Sequence, residues 1–163
     1  ITELYPENMS FGEDLVFVLN YLKHCNRISF TQEPLYQHEV YNSVSLTHSF
    51  SPARFSNLED IQKAILDFAD DKNKINPRIY DKYVKDALHL TRMWYKNKNV
   101  PYIRKKEIIG EWLKQSYIRK LKISDYQLHW KDRMLLHCLH MSCFIGINLI
   151  VNGKEYINSL SKE

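Results

Sequence analysis

The chain has 163 residues, enough for one domain with a sizeable core, and at 44% hydrophobic and 13% aromatic its composition excludes a disordered polymer. Only four glycines occur, none at a phosphate-cradling spacing, which excludes the usual glycine-rich nucleotide loops. The net charge is +4, with Lys and Arg far outnumbering Glu between Lys96 and Lys122. That bias predicts a basic face: solvated surface in the first instance, and an attraction for anionic membrane, nucleic acid or phosphorylated ligands in the second.

Taken in chain order, Phe11-Gly12-Glu13-Asp14-Leu15 opens an apolar run. Ser10 or Gly12 is placed to cap a helix, with Glu13 and Asp14 against the partial positive charge of its first turn. The helix runs from Asp14 to His24 and puts Leu15, Val18, Leu19 and Leu22 on one face. Arg27 to Gln32 and Leu35 to Tyr41 read as two short strands broken at Glu33-Pro34, and Val44 to Ser51 as polar connection. From Ser56 or Asn57 onward the pattern is helical. One helix carries Leu58, Ile61, Ile65, Leu66 and Phe68, followed by the charged loop Asp70 to Lys74. Pro77 suits the first turn of a longer helix that turns Tyr80, Tyr83, Val84, Ala87, Leu88, Leu90 and Trp94 inward. Val100-Pro101 separates it from a helix over Lys105 to Tyr117 bearing Ile108, Ile109, Trp112 and Leu113. A final helix is expected from Asp125 to Val151, ending at Asn152-Gly153. Its stretch Met134 to Val151 holds no Lys, Arg, Asp or Glu. A run of eighteen touches the lower limit for a membrane span, but His137, His140, Ser142 and Asn148 favour a helix buried in a bundle.

Several residues invite a chemical reading. His137-Cys138-Leu139-His140-Met141-Ser142-Cys143 gathers soft ligands, yet on a helix only the two histidines are neighbours, short of the four convergent ligands of structural zinc. Three cysteines without a C-x-x-C unit point to a reducing compartment. The aromatic and basic residues from Arg92 to Lys122 recur at helical spacing, which places the aromatics in a core, and no nucleic-acid partner is expected. No Ser-His-Asp or Cys-His arrangement is readable from the scattered histidines. The acidic pair is different. Asp14 is suited to take a proton from an acceptor hydroxyl, with Glu13 orienting it or touching the acceptor, although on the pair alone helix capping is the default reading of both.

Context decides the weight of that pair. Glu7-Asn8-Met9-Ser10-Phe11-Gly12-Glu13-Asp14, then Glu33-Pro34-Leu35-Tyr36, then Asn42-Ser43-Val44-Ser45-Leu46-Thr47 resembles the latter part of a family 2 glycosyltransferase. That family carries F-x-E-x-x-x-x-G-E-D before a helix and a strand, then P-L-Y-x-Y-R-x-x-x-x-S-x-S. The resemblance covers about the first fifty residues, and the Arg of the second motif is absent, Tyr36-Gln37-His38-Glu39 standing there. The chain as a whole reads as mainly α, a helical bundle with a small β element near the N-terminus, and the resemblance implies that it is the C-terminal part of a GT-A-type α/β enzyme. Residues 1–52 would be the edge of the catalytic domain and residues 53–163 a helical extension.

By the same resemblance Asp14 matches the catalytic base and Glu13 its acidic neighbour. The nucleotide-sugar donor and a divalent ion, Mg or Mn, belong to a donor half that these residues do not include. The chain begins at Ile1 with what reads as the end of a strand, and no signal peptide is visible, so a fragment or processed polypeptide is expected. The expected partners are a glycan or lipid-linked sugar acceptor and a membrane surface, in the cytoplasm or at its membrane. A non-enzymatic helical interaction module, or an assembly driven by Met134 to Val151, accounts for the helical part as well.

Overall fold

The computed structural model describes residues 6, 9, 11–33, 51–69 and 77–160, with Pro77 and the segment 154–160 described by backbone alone. Six α-helices make up the described chain: α1 (Glu13–Leu22), α2 (Ala53–Phe68), α3 (Asp81–Lys96), α4 (Tyr102–Gln115), α5 (Trp130–His140) and α6 (Phe144–Leu160). They fall into two compact units, Ile1–Lys72 and Asn73–Glu163.

In the first unit α1 packs on α2. Val16, Ile61 and Ala64 form the buried centre, with Met9, Phe11, Leu15, Leu19 and Ile65 packed around them. Val18, expected inward, is exposed, and Val16 is the buried residue of α1 instead. The first turn explains the shift. Phe11 precedes the capping Gly12 and packs into the cluster of Val16, four positions into the helix, as a hydrophobic staple does. α2 begins at Ala53, a turn before the expected start at Ser56 or Asn57. Ser51 Oγ accepts from the Ala53 N–H at 3.3 Å and Pro52 stands beside it, so Ser51-Pro52 carries the start signal. The expected strand over Arg27 to Gln32 does not form. Ile28 and Phe30 are exposed, the latter at 94%, because β-branched and aromatic residues make a strand only where a sheet receives them. There is no strand among the described residues; the expected strand over Leu35 to Tyr41 and the charged loop Asp70 to Lys74 lie outside them.

In the second unit α3 is central and touches α4, α5 and α6. Pro77–Tyr80 forms a 3-10 turn that leads into it. The residues expected inward, Tyr80, Tyr83, Val84, Ala87, Leu88, Leu90 and Trp94, are all buried, joined by Thr91 and Tyr95. Ile109, Trp112 and Leu113 fill the facing side of α4, with Ile108 half-buried. Gly110 of α4 lies where a Cβ would stand 3.5 Å from the Phe144 ring of α6. The Tyr83 hydroxyl bonds Ser116 Oγ at 2.7 Å, and Tyr80, Tyr83 and Tyr117 meet ring to ring. An ion pair between Arg92 and Asp132 ties α3 to α5.

The expected single helix over Asp125 to Val151 is two. α5 stops at His140 and α6 starts at Phe144, with Ser142 between them at φ 51°. α6 also runs past Asn152-Gly153 to Leu160. Asn152 lies inside the helix, its side-chain amide donating to Asn148 Oδ1 one turn back at 2.8 Å and to the Tyr95 carbonyl of α3 at 3.3 Å. No helix among the described residues is long and apolar enough to cross a membrane.

Candidate functional site

The acidic pair occupies the first two positions of α1. Its placement depends on Gly12, whose backbone is left-handed at φ 75°. A Cβ on Gly12 would sit 2.2 Å from Ile61 Cδ1 and 2.9 Å from its Cγ1. Glycine is therefore required twice over, for the φ and for the close approach to α2. The turn sets the helix start against α2 and leaves Asp14 exposed, with Glu13 beside it half-buried. One Asp14 carboxylate oxygen accepts the Leu15 N–H at 2.7 Å. This satisfies one of the four backbone donors that a helix start leaves open, and the second oxygen has lone pairs for an incoming hydroxyl.

Around the pair, Arg54 of α2 is buried and holds its guanidinium 5.2 Å from the centre of the Phe11 ring. Burial pulls the Arg54 pKa down from its ordinary value, the direction expected when a cation loses water. The cation stacks on the staple residue and braces the turn before Glu13. Glu13 and Asp14 are thus brought together on one rigid turn. The sheet edge expected beside them is not found among the described residues, and the Glu33-Pro34-Leu35-Tyr36 and Asn42 to Thr47 motifs lie outside them beyond Glu33.

Elsewhere the described residues separate the chemistry the sequence gathers. His137 is exposed while His140 is half-buried, and the His140 Nε2 finds no partner among the described residues. Burial first, then His137 and Arg119, hold the His140 imidazole below its usual pKa. Among the described residues no three His, Cys, Asp or Glu are placed to hold a metal ion. A cavity of about 440 Å³ in the second unit is lined by both signs of charge, Arg78 and Lys85 with Asp81 and Asp125, and also by the buried Tyr126.

Two placements escape sequence reasoning. Lys105, from the basic stretch, is buried, and its Nζ donates to the Tyr95 carbonyl at 2.7 Å. The Trp94 indole donates in turn to the Lys105 carbonyl at 3.2 Å. The cation lies at the C-terminal end of α3, where helix carbonyls attract positive charge. Arg54 is likewise buried under an aromatic ring rather than solvated. The spacing Ile109, Trp112, Leu113 was a usable signal for Lys105, which sits one turn before Ile109 on the same face. Compared with protein-family models, with curated proteins and with solved structures, the chain matches none.

Proposed function

We propose that the chain is the C-terminal portion of a family 2, GT-A-type glycosyltransferase. It passes a sugar from a nucleotide-sugar donor to an acceptor hydroxyl on a glycan or lipid-linked saccharide, in polysaccharide or glycolipid synthesis at the cytoplasmic side of a membrane. The observation that carries this reading is the exposed Asp14 carboxylate at the start of a helix whose entry is locked by Gly12 against Ile61. A base on such a mount is accessible to an acceptor yet fixed in direction. Asp14 takes the proton of the acceptor hydroxyl as its oxygen attacks the anomeric carbon, and the nucleoside diphosphate departs from the opposite face. Glu13 orients the acceptor or the base. The resemblance assigns the donor and the Mg or Mn ion, which would stabilise the leaving diphosphate, to residues outside this chain. The 163 residues by themselves are therefore expected to be inactive.

The test is Asp14→Asn in the longer polypeptide that includes the donor half. A base removed in this way lowers kcat by about 10²–10⁴-fold while donor binding stays unchanged. Glu13→Gln should cost less. Wild-type turnover by Asp14→Asn refutes the assignment of the base. Sugar transfer by residues 1–163 alone refutes the division of labour.

A second reading, a non-enzymatic helical interaction module, is favoured by a different observation. Trp130, Met134, Met141, Ile145 and Leu149 are large apolar side chains left exposed on α5, α6 and the turn between them. That reading expects partner capture that Asp14→Asn leaves intact and Met134→Asp with Ile145→Asp abolishes.

A further inference from the structure

The turn that divides α5 from α6 brings two thiols together. The Cys143 N–H bonds the Cys138 carbonyl at 2.8 Å, and the Ser142 N–H bonds the Leu139 carbonyl at 3.1 Å. This nested pair, with a left-handed residue between, is the Schellman ending of a helix. In it the residue after the left-handed position folds back onto the residue five before, and those two positions are Cys143 and Cys138. The left-handed position is usually glycine; here it is Ser142, at φ 51°, whose hydroxyl accepts from Arg119 Nη2 at 2.7 Å.

Gly146, one turn into α6, fixes where the sulfurs lie. A Cβ there would stand 2.7 Å from Cys138 Sγ and 3.1 Å from Cys143 Sγ. Both sulfurs therefore occupy the space that a side chain at 146 would need. Cys143 is exposed and Cys138 half-buried, both with free thiols. Burial, and then the neighbouring Cys143, push the Cys138 thiol above its ordinary pKa. The accessible thiol meets a reagent first, and the sheltered one lies beside it.

We propose that Cys138 and Cys143 form a dithiol site that closes to an intramolecular disulfide by exchange with a low-molecular-weight disulfide of the glutathione class. The Cys143 thiolate attacks one sulfur of the reagent, its S–S bond breaks, and one thiolate leaves and takes up the proton that Cys143 released. The Cys138 thiolate then attacks the Cys143 sulfur of the mixed disulfide and expels the second thiol. The sum is two protein thiols and one reagent disulfide in, one protein disulfide and two reagent thiols out. The closed ring would pin the α5–α6 turn beside the exposed Met141 and Ile145, and a reducing poise would reopen it. The inference is independent of any sugar-transfer role.

The experiment equilibrates the full chain in glutathione buffers stepped from reduced to oxidised, followed by alkylation, trypsin and mass spectrometry. Cleavage after Arg133 and Lys154 leaves both cysteines on one peptide. The expected result is loss of two hydrogens from that peptide and loss of its two alkyl groups, reversed in reduced buffer, while Cys25 gains no cross-link to it. Cys138→Ser should instead accumulate a glutathione adduct on Cys143, because the resolving thiol is gone. Gly146→Ala should displace the sulfurs and weaken closure. A peptide that stays fully alkylated in oxidised buffer, or a stable adduct on Cys143 in the unmodified chain, overturns the proposal.

Discussion

Gly12→Ala is the sharpest perturbation the structure offers, because two penalties of different origin coincide at one atom. At φ 75° an L-residue is in the left-handed region, which costs about 1–2 kcal/mol. The new Cβ would also overlap Ile61, at 2.2 Å from Cδ1 and 2.9 Å from Cγ1. Ile61 is buried beside Val16 and Ala64, so its side chain yields only by repacking, and overfilled cores cost about 1–3 kcal/mol. The sum is about 2–5 kcal/mol, a large part of the roughly 5–15 kcal/mol that holds a typical domain folded. Amide hydrogen exchange across α1 and α2 reads the first unit by itself and should show protection lost there. Ile61→Val deletes Cδ1, so alanine at position 12 should cost about 0.5–1.5 kcal/mol less in that background, leaving the backbone penalty in place. An unchanged exchange pattern in Gly12→Ala, or strict additivity of the two substitutions, would refute the argument that glycine is needed for both reasons.

Three further outcomes follow from the second unit. Ser116→Ala strips Tyr83 of its 2.7 Å partner and the Ile118 N–H of its acceptor, and should destabilise by about 1–3 kcal/mol, read by urea unfolding. Lys105→Ala removes the charged donor on the Tyr95 carbonyl and should cost up to about 1.5–3 kcal/mol, at the low end because Asn152 also donates to that acceptor. Alkali should unfold the protein through its buried tyrosines. Burial, followed by Asp125, Tyr80 and Asp81, pushes Tyr126 up to about 12, so between its ordinary pKa of 10.0 and 12 the native state keeps a proton that the unfolded chain releases. Stability is then complete below pH 10 and falls as pH rises toward 12. Burial depresses Lys105, which contributes the opposite slope below 10.5. Tyr126→Phe should flatten the falling limb in a series of denaturant midpoints against pH; an unchanged limb would contradict the assignment.

The helices of the second unit were legible because their apolar residues repeat at the helical period and the packing honours it, α3 most clearly, where every residue expected inward is buried. What was not legible is non-local. The break at Ser142 has neither glycine nor proline to announce it, and its left-handed turn is supported by Arg119, 23 residues earlier. Asn152-Gly153 carries a stop signal, yet α6 runs through it with the Asn152 amide bonded to the Tyr95 carbonyl of α3. Ile28 and Phe30 have strand chemistry and form no strand. At the acidic pair, the position at a helix start was readable, since Gly12 and two carboxylates are local information. That Gly12 touches Ile61, and that Arg54 braces Phe11, depends on a helix some forty residues away.

The bonds that close the second unit reach far along the chain. Arg92 pairs with a residue 40 positions on, and the Tyr95 carbonyl accepts from one 57 positions on. Because α3 is the helix that α4, α5 and α6 all touch, the part of its face that α6 covers stays open after α4 and α5 have formed. During synthesis that part waits until α6 has left the ribosome, even though α3 itself is complete some sixty residues earlier. A chain halted near Val151 lacks the Asn152 amide that the Tyr95 carbonyl accepts in the finished unit, so the last tie of α3 to α6 forms only late in synthesis.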